Sequence, residues 1–268
     1  MQELKPKVLL GSPIRQKNEI LSKFLSGLEE LNKDSLLNVD YFFIDDNIEE
    51  VSSQLLRHFT EKNANTTLTR VHTQATNHYL CNENTHVWEE ELIWKVADFK
   101  NHMIQKATND GYDYLFLVDS DLILHPKTLA HLVSLNKDIV SEIFWTKWEP
   151  DFPELPQVWM FDQYNLYENS GGSALTPAEV IQKVQAFIKQ LRVPGVYRVG
   201  GLGACTLISK KALLAGANYN KIYNISFVGE DRHFCIRAVA LGFELFVDTH
   251  YPACHFYRLS DLEVLKRS

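Results

Sequence analysis

Apolar positions along the chain fall into two alternating kinds of run. Lys7 to Leu10 reads as a short buried strand, Val39 to Ile44 as a β-rich run, and Tyr114 to Val118, continuously apolar, as a strand covered on both faces. Between them, three sets of residues recur at helical spacing: Ile20, Phe24, Leu28 and Leu31; Ile48, Val51, Leu55 and Phe59; and Trp88, Leu92, Val96, Phe99 and Met103. They predict three amphipathic helices. Gly11-Ser12-Pro13 predicts a break after the first strand, Asp45-Asp46-Asn47 stops the second, and Asp110-Gly111 ends the long helix. Glu61 to Thr85 is polar, with one strand at Leu68 to Val71, and Pro126 reads as the first turn of a helix through Leu135. Strands alternating with helices in this way predict an α/β fold with a mostly parallel central sheet flanked by helices, and ligands that bind outside the carboxyl ends of the strands. Ser12, Asp45 and Asp119 would then share one rim.

After Ile139 to Ile143 the pattern changes. An aromatic segment from Trp145 to Tyr167 precedes an amphipathic helix near Pro177 to Leu191, and the aromatic segment reads as an insertion at the mouth of the site. A helix opening at Gly229-Glu230-Asp231 carries Phe234, Ala238 and Leu241, ends at Gly242, and is followed by a strand at Glu244 to Val247. With 268 residues, 45% of them hydrophobic, the chain fits one domain, residues 1–268.

Composition narrows the partners. A net charge of −7 with scattered basic residues argues against a nucleic-acid partner, which needs clustered Lys and Arg. The apolar run near the N-terminus is too short for a signal sequence or a membrane span, so a cytoplasmic chain with no transmembrane segment is expected. The cysteines at 81, 205, 235 and 254 form no C-x-x-C pair, which disfavours a zinc site and gives no disulfide framework.

Candidate chemistry begins at Asp119-Ser120-Asp121. Two carboxylates at i and i+2 on a turn leaving a buried strand can converge on one hard cation, Mn²⁺ or Mg²⁺, with a diphosphate completing the coordination. The competing reading is a simple turn before Pro126. In Gly229-Glu230-Asp231 an acid could deprotonate a bound hydroxyl, or merely cap the helix. His255 could ligate a metal and Arg258 neutralise a phosphate, although a lone histidine is more often a packing residue. The aromatic side chains of Trp145, Trp148, Trp159, Tyr164 and Tyr167 could stack on a sugar or peptide, or form plain core.

In order and spacing, four elements resemble the GT-A fold glycosyltransferases, especially the family 2-like members, over most of the chain. They are the opening strand with Ser12, Pro13 and Arg15; Ile44-Asp45-Asp46; Val118-Asp119-Ser120-Asp121; and Gly229-Glu230-Asp231 with the later His255. The resemblance implies a nucleotide-binding half over about residues 1–123 and an acceptor-binding half over about 124–268. It implies that Asp121, Asp119 and His255 hold the cation on the donor diphosphate, that Asp231 is the base beside Glu230, and that Asp45 or Asp46 faces the nucleobase. It further places Lys100 and Asn101 at the nucleotide and Gly201, in the Val199 to Ala204 segment, against the donor sugar. The implied activity is transfer from a nucleotide-sugar, a UDP-sugar favoured and a GDP-sugar possible, to a glycan, peptide or small-molecule acceptor, with inversion.

The pattern departs from that family at Asp45-Asp46-Asn47-Ile48, where Asp-Asp-Gly-Ser is usual, and it lacks Gln-x-x-Arg-Trp. The Gly-rich segment is similar also to that of the retaining Anp1-type mannosyltransferases, which leaves stereochemistry open. A sugar nucleotidyltransferase and a non-catalytic nucleotide- or carbohydrate-binding module are the alternative classes.

Overall fold

A computed structural model describes residues 5–31, 36–71, 80–81, 86–87, 89–148, 152–168, 171, 174–226, 229–256, 258 and 261. Trp88 of the predicted long-helix stripe lies outside the described residues. The first half alternates as expected: β1 (Lys7–Ile14), α1 (Asn18–Leu31), β2 (Asn38–Asp45), α2 (Glu50–Lys62), β3 (Thr66–Arg70), the short β4 (Leu80–Cys81) and β5 (His86–Val87), α3 (Glu90–Asn109) and β6 (Tyr114–Leu117). Then come β7 (Leu122–Ile123), α4 (Thr128–Ser134), β8 (Ile139–Thr146), β9 (Leu155–Pro156), β10 (Val158–Trp159) and α5 (Pro177–Leu191). The chain continues through β11 (Val196–Val199), β12 (Gly201–Leu202), β13 (Thr206–Ser209), α6 (Lys210–Leu214), α7 (Glu230–Ala240) and β14 (Leu245–His255).

The main sheet has the order β11-β14-β8-β13-β6-β1-β2-β3. Its β1–β2, β1–β6, β2–β3 and β14–β8 pairs are parallel, while β13 and β11 run antiparallel to their neighbours. The sheet is therefore mostly parallel in strand direction. Period-two alternation sorts its side chains into two cores. Leu9, Phe42, Leu115 and Leu117 pack with Ala97 and Met103 of α3. Val8, Leu10, Phe43 and Phe116 pack with Phe24 and Leu28 of α1 and Leu132 of α4. Burial on both faces accounts for the continuous apolar runs.

Three local expectations are corrected. β1 does not break at Gly11-Ser12-Pro13 but continues to Ile14, with Ser12 opposite Phe43 and Pro13 opposite Ile44. Pairing with β6 stops at Gly11 opposite Leu117, so the missing proline N–H interrupts no ladder there. Gly11 serves close packing, since a Cβ there would lie 2.7 Å from Met103 Sδ. Ile48 precedes α2 and is exposed, as is Val51 within it, and Ser52, Ser53, Leu56 and Phe59 are the buried face. A polar contact helps set that rotation: Ser53 Oγ donates to Asp45 Oδ1 at 3.1 Å. Pro126 also stands before the helix, which begins at Thr128. No helix among the described residues is long and apolar enough to cross a membrane.

Candidate active site

The acidic triplet leaves the carboxyl end of β6 in a turn closed by Leu122 N–H donating to Asp119 O at 3.2 Å. Immediately after it, β7 pairs antiparallel with the end of β14, His255 opposite Leu122, and Phe256 N–H donates to Asp121 O at 2.9 Å. That register is why residues 134 positions apart meet: His255 Nε2 lies 3.4 Å from Asp121 Oδ2. Thr146 Oγ1 sits 2.9 Å from His255 Nδ1, fixing the ring and leaving Nε2 to the site. Burial alone would lower the His255 pKa, but Asp121 and Asp119 outweigh it and hold it above the usual range.

Facing this pair is the start of α7. Lys100 of α3, 3% exposed, reaches Glu230 Oε1 at 2.8 Å and Asp231 Oδ1 at 3.0 Å. Burial opposes its charge, yet Asp231, Glu230 and Asp119 together keep it well above the ordinary lysine range. The same crowding acts on the acids. Burial first, with Asp121 and Glu230 against the relief from Lys100, raises Asp119 to about 6. Burial, again opposed by Lys100 and reinforced by Glu230 and Asp119, raises Asp231 to about 7.

One cavity of about 340 Å³ joins these groups, lined by Asp119, Ser120, Asp121, Glu230, Asp231 and His255 together with Pro13, Arg15 and Asp46 at its far end. There Asp46 receives Lys95 Nζ at 2.6 and 2.8 Å and stands 3.8 Å from Arg15 Nη1. Asp45 does not line it. Its Oδ1 accepts from Asn47 N–H at 3.0 Å, Asn47 Nδ2 at 2.8 Å and Ser53 Oγ, which builds the turn into α2. Ser12 is buried within β1, away from the lining.

Three further expected residues have structural neighbours of their own. Asn101 Oδ1 accepts from Tyr219 N–H at 2.8 Å; this braces Tyr219, whose ring lies 5.0 Å beneath Lys100 Nζ. Gly201 packs on Trp159, where a Cβ would fall 1.9 Å from the indole, and Gly203 is the glycine that reaches the cavity. Arg258 is buried and donates to the carbonyls of Lys147 at 3.0 Å and Trp148 at 2.6 Å, so its guanidinium holds the edge of the mouth.

The aromatic insertion forms a second cavity of about 420 Å³ that shares Trp148, Gln157, Tyr164, Gly203 and Asp231 with the first. Its turn is docked on α7, where Arg232 binds the Asp162 carboxylate and the Ser226 carbonyl. Tyr164 meets Trp159 edge to face at 4.5 Å, and a Cβ on Gly229 would lie 2.5 Å from its hydroxyl. Gly229 is therefore required by this close approach. Neither Lys95, Thr146 nor the Tyr164–Gly229 contact has a local sequence signal, because each depends on long-range packing.

A mostly parallel sheet flanked by helices, with a cavity at the carboxyl ends of its strands, is the architecture of the GT-A fold. The mannosyltransferase PcManGT of Pyrobaculum calidifontis, solved with GDP-Man and Mn²⁺, shares this fold at 11% identity and TM-score 0.55, over 94% of this chain and 57% of that one. GalNAc-T7, solved with UDP, GalNAc and Mn²⁺, shares it at 15% and 0.58, over 97% and 45%. S. aureus TarS 1-349 does so at 12% and 0.53, over 92% and 60%. The chain belongs to glycosyltransferase family 25, whose N-terminal domain it matches over residues 5–147. A glycosyltransferase 25 family member of Aedes aegypti is 31% identical over 142 residues, covering 51% of this chain and 23% of that relative. The chain thus spans about a quarter of the relative's length, and the family shown within the GT-A likeness is family 25.

Proposed function

We propose that this protein transfers a sugar from a nucleotide-sugar, a UDP-sugar first and a GDP-sugar second, to an acceptor hydroxyl, with Mn²⁺ or Mg²⁺ at the donor diphosphate. The observation that carries the reading is that the Asp121–His255 pair and Asp231 line one cavity. The rim also fits a cation chemically. Asp231, Glu230 and Asp119 act on the buried Lys100 ammonium, Asp121 lines the same cavity, and the raised Asp119 and Asp231 register that shortage of positive charge. Asp121, Asp119 and His255 would hold the ion, which when bound supplies Lewis-acid stabilisation of the departing diphosphate. Asp119 would turn toward the other two, since the three side chains do not form a closed triad among the described residues.

The protein's own groups do the rest. Arg15, Lys95 and Asp46 present a charged, hydrogen-bonding end to the nucleoside. Lys100 holds Asp231 through Oδ1, leaving Oδ2, on the Gly203 side, to accept the proton of the incoming hydroxyl. That hydroxyl would approach from the cavity of Trp148, Trp159 and Tyr164, on a glycan, peptide or small molecule. A base distinct from the diphosphate ligands, lining the same cavity, supports inversion.

A thermal-shift screen of UDP-, GDP- and dTDP-sugars with and without Mn²⁺ tests the donor, because a bound donor stabilises the fold by mass action. A donor that raises the melting temperature only with the ion is expected. Proton NMR of the product then reads the anomeric configuration, and retention would overturn the role given to Asp231.

A further inference from the structure

A second group of ligating side chains lies away from the donor cavity. Asp248 and His250 stand two residues apart on β14, on the sheet face that α4 covers, and α4 contributes His131. His250 Nδ1 lies 2.6 Å and His131 Nε2 3.2 Å from the same oxygen, Asp248 Oδ1. The two imidazoles approach edge to face at 4.9 Å rather than stacking. The ligating atoms of all three residues fall within 4.8 Å of one another.

The surroundings are graded from dry to wet. Asp248 is fully buried, whereas the His131 and His250 side chains are 23% and 38% exposed. Behind Asp248, the β8–β14 register places Glu142 as its direct partner. Glu142 is 1% exposed, and its Oε2 meets no donor. A second carboxyl buried in hydrogen-bond contact with Asp248 is costly unless the pair supports something.

We propose that His131, Asp248 and His250 bind one divalent ion of the zinc class, at a site separate from the donor cavity. Two imidazoles and a carboxylate suit zinc and its transition-metal neighbours better than magnesium or calcium. Tetrahedral bonds of about 2.0–2.2 Å set ligand atoms about 3.3 Å apart. The 3.2 Å separation already matches, and the 2.6 Å hydrogen bond would open slightly as an ion replaced its proton. The fourth position would face solvent past His250. Cysteine spacing is no guide to such a site, because none of its ligands is a cysteine. The ion would tie α4 to β14, the strand that ends at His255.

The test uses the full chain with Asp119→Asn and Asp121→Asn, so that the donor cavity contributes no binding. The protein is stripped with chelator and titrated with Co²⁺, read by visible absorption, and with Zn²⁺, read by calorimetry. One equivalent is expected, with the intense cobalt spectrum of a tetrahedral site, and Zn²⁺ should raise the melting temperature. His250→Ala changes a half-exposed side chain and should fold, as circular dichroism will show. Loss of a direct ligand should weaken Zn²⁺ by at least about 100-fold, the upper range for an outer-shell partner. Absence of saturable binding, or equal affinity in the His131→Gln/His250→Ala double variant, would overturn the proposal. Neither result bears on sugar transfer.

Discussion

Two clusters of acids lie along β14, one beside His255 at its end and one at Asp248 within it, yet they solve opposite problems. At the cavity rim, Asp119, Glu230 and Asp231 act on Lys100, and Asp121 lines the same cavity. At the other cluster, Glu142 and Asp248 are closed off by His131 and His250. In the first, Asp119 and Asp231 are raised only to about 6 and 7, within reach of ionisation at neutral pH. The second drives Glu142 up to about 9, by burial and then by the charge of Asp248, so that one carboxyl stays neutral. A shared lysine and solvent access keep acids available for chemistry; a dry pair leaves one of them neutral.

The largest expected effect breaks the comparison at the rim's charge deficit. Excess chelator should reduce transfer to background and Mn²⁺ should restore it, in a coupled assay for released nucleoside diphosphate; full activity in chelator would remove the cation from the rim. Next, Asp231→Asn should lower kcat by about 10²–10⁴-fold with donor binding unchanged. In the wild type, kcat/KM should fall as pH drops through about 7, as the Asp231 carboxylate takes up its proton. The sign for stability is the reverse. A carboxyl raised from 3.8 costs the fold when ionised, so without metal Asp231→Asn should melt higher than wild type at pH 8 and equally at pH 4.

Removing the counterion sharpens the contrast. Lys100→Met should cost about 3–5 kcal/mol at pH 8, with melting temperature falling by about 2–4 °C per kcal/mol. Much of that should return at pH 5, where the acids carry protons. At the closed pair the effect is smallest. Glu142→Gln keeps shape and donor, so at pH 5 the metal-free proteins should melt alike, within about 0.5 kcal/mol. The variant should gain on wild type as pH climbs toward about 9, because the wild type then pays to keep or lose its proton.

Much of the first half was legible because its signals are local. The apolar run ending at Val118 needs only period and burial to place Asp119-Ser120-Asp121 at a strand end, and the helix stripe through Val96 and Met103 positions α3 over β1. The errors there came from reading Gly-Ser-Pro as a stop when parallel pairing with β2 carries it through, and from setting the face of α2 by apolar spacing alone. Motif order brought together Asp121, His255 and Asp231, but not the register that makes them neighbours. Glu142 and Asp248 gave no signal, since their pairing joins strands more than a hundred residues apart. For the same reason Gly201 and Gly203 look alike in sequence, although one serves an indole and the other the cavity.

The buried guanidinium of Arg258, bonded to the Lys147 and Trp148 carbonyls, has a practical consequence for anyone cutting or fusing this polypeptide. The last strand ends at His255, and a junction placed there would look tidy. It would remove the rivet holding down the Trp148 edge of the mouth, so a minimal fragment built for crystallisation or display has its boundary beyond residue 258.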